Sequence, residues 1–112
     1  MILILILILL VHIVYSKPSC NVNDHNIFKT QGSTFEARFR AFGGAFTFHN
    51  GFREKVIDAT GLSVACAECY ANAYDCGKDN CWASCAIGGE RCNQCLKKYK
   101  CQENCNKCTK FI

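Results

Sequence analysis

The sequence predicts a mainly α-helical, small, disulfide-rich secreted protein, its short helices stapled as two tandem cysteine-rich helical hairpins. Three observations lead there. Eleven cysteines occur in 112 residues, above the roughly 8–10% that marks a short exported chain as a disulfide scaffold. The chain opens on MILILILILLVHIVY, a nearly unbroken apolar run. Finally, the helix-favouring stretch CAECYANAYDCGKDNCWASC (66–85) is followed by a near-copy of its cysteine pattern, CNQCLKKYKCQENCNKC (92–108).

The opening run would measure ~22 Å as a helix, short of the ~30 Å hydrocarbon core of a bilayer. At this length and position it reads as the apolar region of a secretory leader. Residues 1–16 are therefore expected to be a signal peptide, with the mature protein starting near Lys17. No Lys or Arg precedes the run, so an anchor that is kept is the competing reading. Export and cysteine density support each other, because disulfides persist outside the cytosol. The expected location is extracellular.

Residues 17–32 are polar, hold the one proline and carry an isolated Cys20; they read as an irregular arm. Residues 33–61 hold most of the phenylalanine and lack cysteine. Ser33 and Glu36 have the spacing of a capping box, and Phe35, Phe39 and Phe42 then recur on one helical stripe. Gly43-Gly44 would stop that helix, Phe46 and Phe48 alternate as in an extended piece, and Asn50-Gly51 reads as a turn. A further helix from about Phe52 to Ala59 would end before Gly61. These phenylalanines are expected to pack onto the cysteine-rich part, which has few large apolar side chains of its own. An interfacial membrane helix bearing Arg38, Arg40, Arg53 and Lys55 is a weaker reading, because Glu36, Glu54 and Asp58 dilute the charge. A cleaved propeptide is weaker again, because no dibasic site precedes Cys66.

Residues 62–112 hold the two cysteine units. Both run C-x2-C, a gap, a cysteine, then Asn-Cys and a last cysteine, with Tyr74 and Tyr99 two places before the third cysteine of each. Five positions in register imply an internal duplication. Each unit reads as two short helices, Gly77 ending the first and Gly88-Gly89 closing the unit, with Asp79 or Asn80 as a cap between. Cysteines three or four apart share a helix face, as stapling to an antiparallel neighbour requires. The simplest nesting joins Cys66 to Cys85, Cys69 to Cys81, Cys92 to Cys108 and Cys95 to Cys105, leaving Cys76 and Cys101 to link the units. Spacing alone does not choose the pairing. Cys20 is then odd, either bridging a homodimer or displacing one partner in this scheme.

The formal charge of +4 is spread evenly along the chain, unlike the concentrated basic patch of a nucleic-acid binder. The two C-x2-C pairs resemble zinc-ligand spacing, but export and the six other cysteines of the two units favour bridges. A redox C-x-x-C should follow a strand and open a helix, and no strand pattern precedes Cys66. His25 and His49 have no nucleophile beside them and are expected at the surface. No enzyme activity and no cofactor are expected. The expected role is recognition of an extracellular protein receptor or a membrane surface, as a ligand, toxin-like effector or defence protein. The alternatives are a zinc or copper thiolate protein and a cationic membrane-active antimicrobial protein. Tyr70, Trp82, Lys97, Lys98 and Tyr99 are the candidate contacts, aromatic and cationic anchors being common at interfaces. Tyr74 and Trp82 are the weaker candidates, better placed for packing between helices.

Overall fold

A computed structural model describes residues 2–15, 19–32, 35 and 48–111. The described helices are α1 (Ile2–Tyr15), α2 (Val22–Gln31), α3 (His49–Thr60), α4 (Val64–Ile87), α5 (Glu90–Lys98) and α6 (Cys101–Thr109). Among the described residues there is no strand, so the protein is small, helical and disulfide-rich.

The organising element is α4, a helix of 24 residues. Ser63 starts it, its hydroxyl accepting from the Cys66 amide at 3.3 Å. The helix then runs through Gly77 and Asp79-Asn80, where a stop was expected. A glycine inside a helix costs only ~1 kcal/mol relative to alanine, and here the space is used. A Cβ at Gly77 would lie 3.3 Å from Leu96 Cδ2, so the missing side chain lets α5 approach closely. The turn comes at Gly88 and Gly89, both in the positive-φ region at 77° and 73°. From there α5 and α6 run back along α4 in succession, joined at Tyr99-Lys100, with Lys100 left-handed at φ 58°.

Four disulfides cross this one hairpin as rungs: Cys85–Cys92, Cys81–Cys95, Cys76–Cys101 and Cys69–Cys108. Steps back along α4 of four, five and seven residues meet forward steps of three, six and seven on the return limb. That matching is what antiparallel neighbours require. The fifth bridge, Cys20–Cys66, fastens the chain entering α2 to the first turn of α4.

The pairing corrects the expected one. Only Cys76–Cys101 forms as anticipated; Cys66–Cys85, Cys69–Cys81, Cys92–Cys108 and Cys95–Cys105 do not. The reason is the unbroken α4. Cys66 and Cys85 on one straight helix are ~28 Å apart at 1.5 Å per residue, whereas a disulfide needs Cα atoms within roughly 7 Å. Cys20 is likewise not left over for a dimer, because it is bonded within the chain. Cys105 is the cysteine outside the five bridges, and it is buried.

Residues 22–31, expected as irregular, are helical because Asn21 and Asp24 form a capping box. The Asp24 amide donates to Asn21 Oδ1 and the Asn21 amide to Asp24 Oδ2, each at 2.8 Å. Asp24 is fully buried and also accepts from the Ser63 amide (2.8 Å) and hydroxyl (2.7 Å). One carboxylate thus ties the starts of α2 and α4 together beside the Cys20–Cys66 bridge. Helix α3 absorbs Asn50-Gly51 into its first turn and ends at Gly61, left-handed at φ 81°. Apart from Phe35, the anticipated helix at Ser33 to Phe42, the Gly43-Gly44 stop and the extended piece at Phe46 lie outside the described residues.

The core gathers where α2, α3, α4 and α6 meet. Phe35, Phe52, Val56, Leu62, Ala67, Tyr70 and Ala71 are buried there with Cys20, Cys66, Cys69 and Cys105. Phe35 meets Phe28 (5.3 Å between centroids) and Tyr70 (5.7 Å), and Phe28 stacks on Phe111 at 4.5 Å. No residue of this cluster lies between 75 and 104, where the bridged Cys81 and Cys101 are the buried apolar residues. The distal half of the hairpin, the end of α4 with α5, is therefore held by Cys81–Cys95 and Cys85–Cys92 rather than by a core. In α1, Ile2 to Ile8 are all exposed. No described helix is long and apolar enough to cross a membrane.

Candidate functional site

The densest polar chemistry lies between α3 and α4. His49 opens α3 and reaches Asp75 Oδ2 through Nδ1 at 2.5 Å, while its Nε2 meets Glu68 Oε1. Glu68 also accepts from Arg53 Nη1 at 2.9 Å. An imidazole bonded to carboxylates through both nitrogens must donate from both, so this geometry selects the imidazolium. The Asp75 hydrogen bond, opposed by partial burial and aided by Glu68, holds the His49 pKa above its usual value. Arg53 in turn holds Glu68 below the usual carboxylate range, against desolvation and with help from His49.

His49, expected at the surface, is partly exposed and also fastens two helices together. The cluster has no donor geometry for one metal ion, because the ring stands between the two carboxylates. Nor does it offer a general base, since both nitrogens are engaged by anions. It positions α3 and therefore Phe48, the residue just before it.

Cys20, Asp24 and Cys66 also bring ligand atoms within 4.8 Å of one another. Both sulfurs are joined to each other, and Asp24 is occupied by Asn21 and Ser63. With ten cysteines in bridges, a thiolate cluster has no ligand set. A cavity of about 200 Å³ lies between α4 and α6, lined by Asn72, Ala73, Asn104, Cys105 and two of the rungs. A shallower groove of about 300 Å³ is framed by Val22, His25, Phe28 and Phe111.

The expected contact residues divide. Tyr70 is 7% exposed and packs against Phe35, so it belongs to the core rather than to the surface where it was expected. Trp82 is 70% exposed. Lys97, Lys98 and Tyr99 are exposed too, with Lys98 Nζ 5.5 Å from the Tyr99 ring centroid. Tyr74 is half-buried, stacks on Phe52 at 4.5 Å, and its hydroxyl pKa is raised by that burial and by Asp75.

Three surface residues were missed by sequence reasoning. Phe48 is 74% exposed with Lys78 Nζ 5.0 Å over its ring, and Ile87 is 76% exposed at the end of α4. Lys78 and Trp82 lie four apart on α4 and so share a helix face. The readable signal was the stretch CWASCAIGG (81–89), which holds no charged residue although it forms the turn of the hairpin. No protein-family model, curated protein or solved structure matches this chain.

Proposed function

We propose that the chain is exported and acts as a cysteine-rich binding or effector protein, with the distal half of its hairpin as the presented face. One observation carries the reading. Two disulfides frame a part of the chain that contributes nothing to the main core cluster, and that part displays Trp82, Ile87, Tyr99, Lys97 and Lys98. Exposed aromatic and cationic side chains are common anchors for a partner, and a cross-linked frame lowers the conformational entropy lost on association. The toxin-like or defence role and the leader at residues 1–16 belong to the same reading. Five disulfides and the exposed apolar helix α1 support it.

The test uses labelled protein recovered from the medium of an expressing cell, titrated onto intact animal and bacterial cells. Saturable binding that falls at least ~10-fold in Trp82→Ala and in Lys97→Ala/Lys98→Ala is expected, both being candidate anchors. Asp58→Ala, on the exposed side of α3, serves as the control that keeps binding. Equal binding by all variants, or retention of the chain inside the cell, would overturn the proposal.

A further inference from the structure

The uncharged hairpin turn is more specific than a generic contact surface. From Cys81 to Gly89 the chain carries no charge, and Trp82, Ala83, Ala86, Ile87 and Gly89 are exposed. Cys85–Cys92 closes this end and keeps it narrow. Behind it the charge changes. Residues 78–100 hold five basic side chains (Lys78, Arg91, Lys97, Lys98, Lys100) against Asp79 and Glu90, and none of those five forms an ion pair among the described residues. Measured along the helices, Lys97 lies about 10 Å behind the turn and Lys78 about 13 Å behind Ile87.

An apolar end with Arg91 beside its turn and Lys78, Lys97 and Lys98 about 10–13 Å behind has the dimensions of an interfacial insert. Apolar side chains enter a bilayer by about 5–10 Å at the boundary between headgroups and acyl chains. Trp favours that level, and cations near it are drawn to anionic lipid. A protein partner would be equally served by Trp82 at the centre of a flat face. Here Ile87 lies at the hairpin turn with Trp82 about 7.5 Å behind it along α4, while Arg91 flanks the turn and Lys78, Lys97 and Lys98 are set further back. We infer that the hairpin end, residues 81–89, inserts into the interface of an anionic lipid bilayer while Lys78, Arg91, Lys97 and Lys98 hold its headgroups. This rests on the recognition reading above and names its partner.

The chain contains a single tryptophan, and it sits in the proposed insert, so its emission reports this end alone. Attachment through α1 would leave that emission unchanged. Protein from the medium is titrated with vesicles of phosphatidylcholine, with and without one-quarter phosphatidylglycerol. The expected result is a blue shift of Trp82 emission and protection from an aqueous quencher with the anionic vesicles only. Raising salt from low to physiological strength weakens binding, and Lys97→Gln/Lys98→Gln weakens it roughly 30-fold. Ile87→Asp weakens it on the order of 10-fold while leaving helix content unchanged.

An equal shift with both vesicle types overturns the anionic partner. No shift with either, while saturable cell binding persists and depends on Trp82, overturns insertion and assigns the face to a protein. No shift and no cell binding sinks both readings.

Discussion

Removing Cys20–Cys66 should destabilise the protein more than removing any rung of the hairpin. The perturbation is Cys20→Ala/Cys66→Ala, with Cys85→Ala/Cys92→Ala as the comparison. In the chain-entropy description, a bridge stabilises by the loop it denies to the unfolded chain. The separations are 46 residues for Cys20–Cys66 and 7 for Cys85–Cys92, worth about 4 and about 2.3 kcal/mol respectively. The outer rung Cys69–Cys108 spans 39 residues, but its loop is already divided by Cys76–Cys101. Removing it frees only seven residues on each limb, so about 3 kcal/mol is expected. No other bridge subdivides the Cys20–Cys66 loop, which contains α2 and α3. Against a usual total of ~5–15 kcal/mol, that loss is large. Urea unfolding followed by far-ultraviolet circular dichroism under non-oxidising, non-reducing conditions measures both variants. A Cys85/Cys92 variant that loses as much as the Cys20/Cys66 variant, or more, would refute the nested-ladder reasoning.

Other outcomes follow from the same contacts. Asp24→Ala should cost about 3 kcal/mol, since it strands the Ser63 and Asn21 donors that converge on it; the same urea titration measures it. Gly77→Val should push Leu96 and α5 off α4 at a cost of ~1–3 kcal/mol, visible as faster reduction of Cys81–Cys95 in timed alkylation. His49 makes the α3–α4 contact pH-dependent. Its folded pKa is raised, so its contribution is complete below the ordinary imidazole value of ~6.5 and is lost as pH rises through the folded value. Glu68 is lowered, so its contribution is present above ~4.3 and is lost as pH falls through its own folded value. Amide exchange in α3 should therefore differ most between wild type and His49→Gln in the window between those two values, and converge at alkaline pH.

Much of the architecture was legible because cysteine density points to disulfide staples, while Ala65, Ala67, Ala71 and Ala73 and cysteines three or four apart point to helices. Gly61 and Gly88-Gly89 marked two helix ends correctly, since positive φ is what they supply. Gly77 misled for a physical reason: the same residue that ends one helix serves in another as a close-contact point, and only the position of Leu96 tells which. Misplacing that break made each cysteine unit look able to close on itself. The apparent direct repeat reinforced the error, although antiparallel neighbours pair first with last. Asn21 and Asp24 carried a readable capping signal that the polar composition of residues 17–32 obscured. Tyr70 was also readable, because it lies four residues after Cys66 and so shares its buried face. The His49–Asp75 pair joins residues 26 apart and needs the docking of α3, which no local pattern contains. Lys97, Lys98 and Tyr99 were readable as surface residues from their type, whereas Trp82, expected to pack between helices, is 70% exposed.

Peptide mapping of the unreduced protein by mass spectrometry tests the ladder most directly. The account predicts Cys20–Cys66, Cys69–Cys108, Cys76–Cys101, Cys81–Cys95 and Cys85–Cys92, with Cys105 outside them. Bridges confined within each unit, such as Cys66–Cys85 together with Cys92–Cys108, would contradict it, because a continuous α4 cannot bring those sulfurs together.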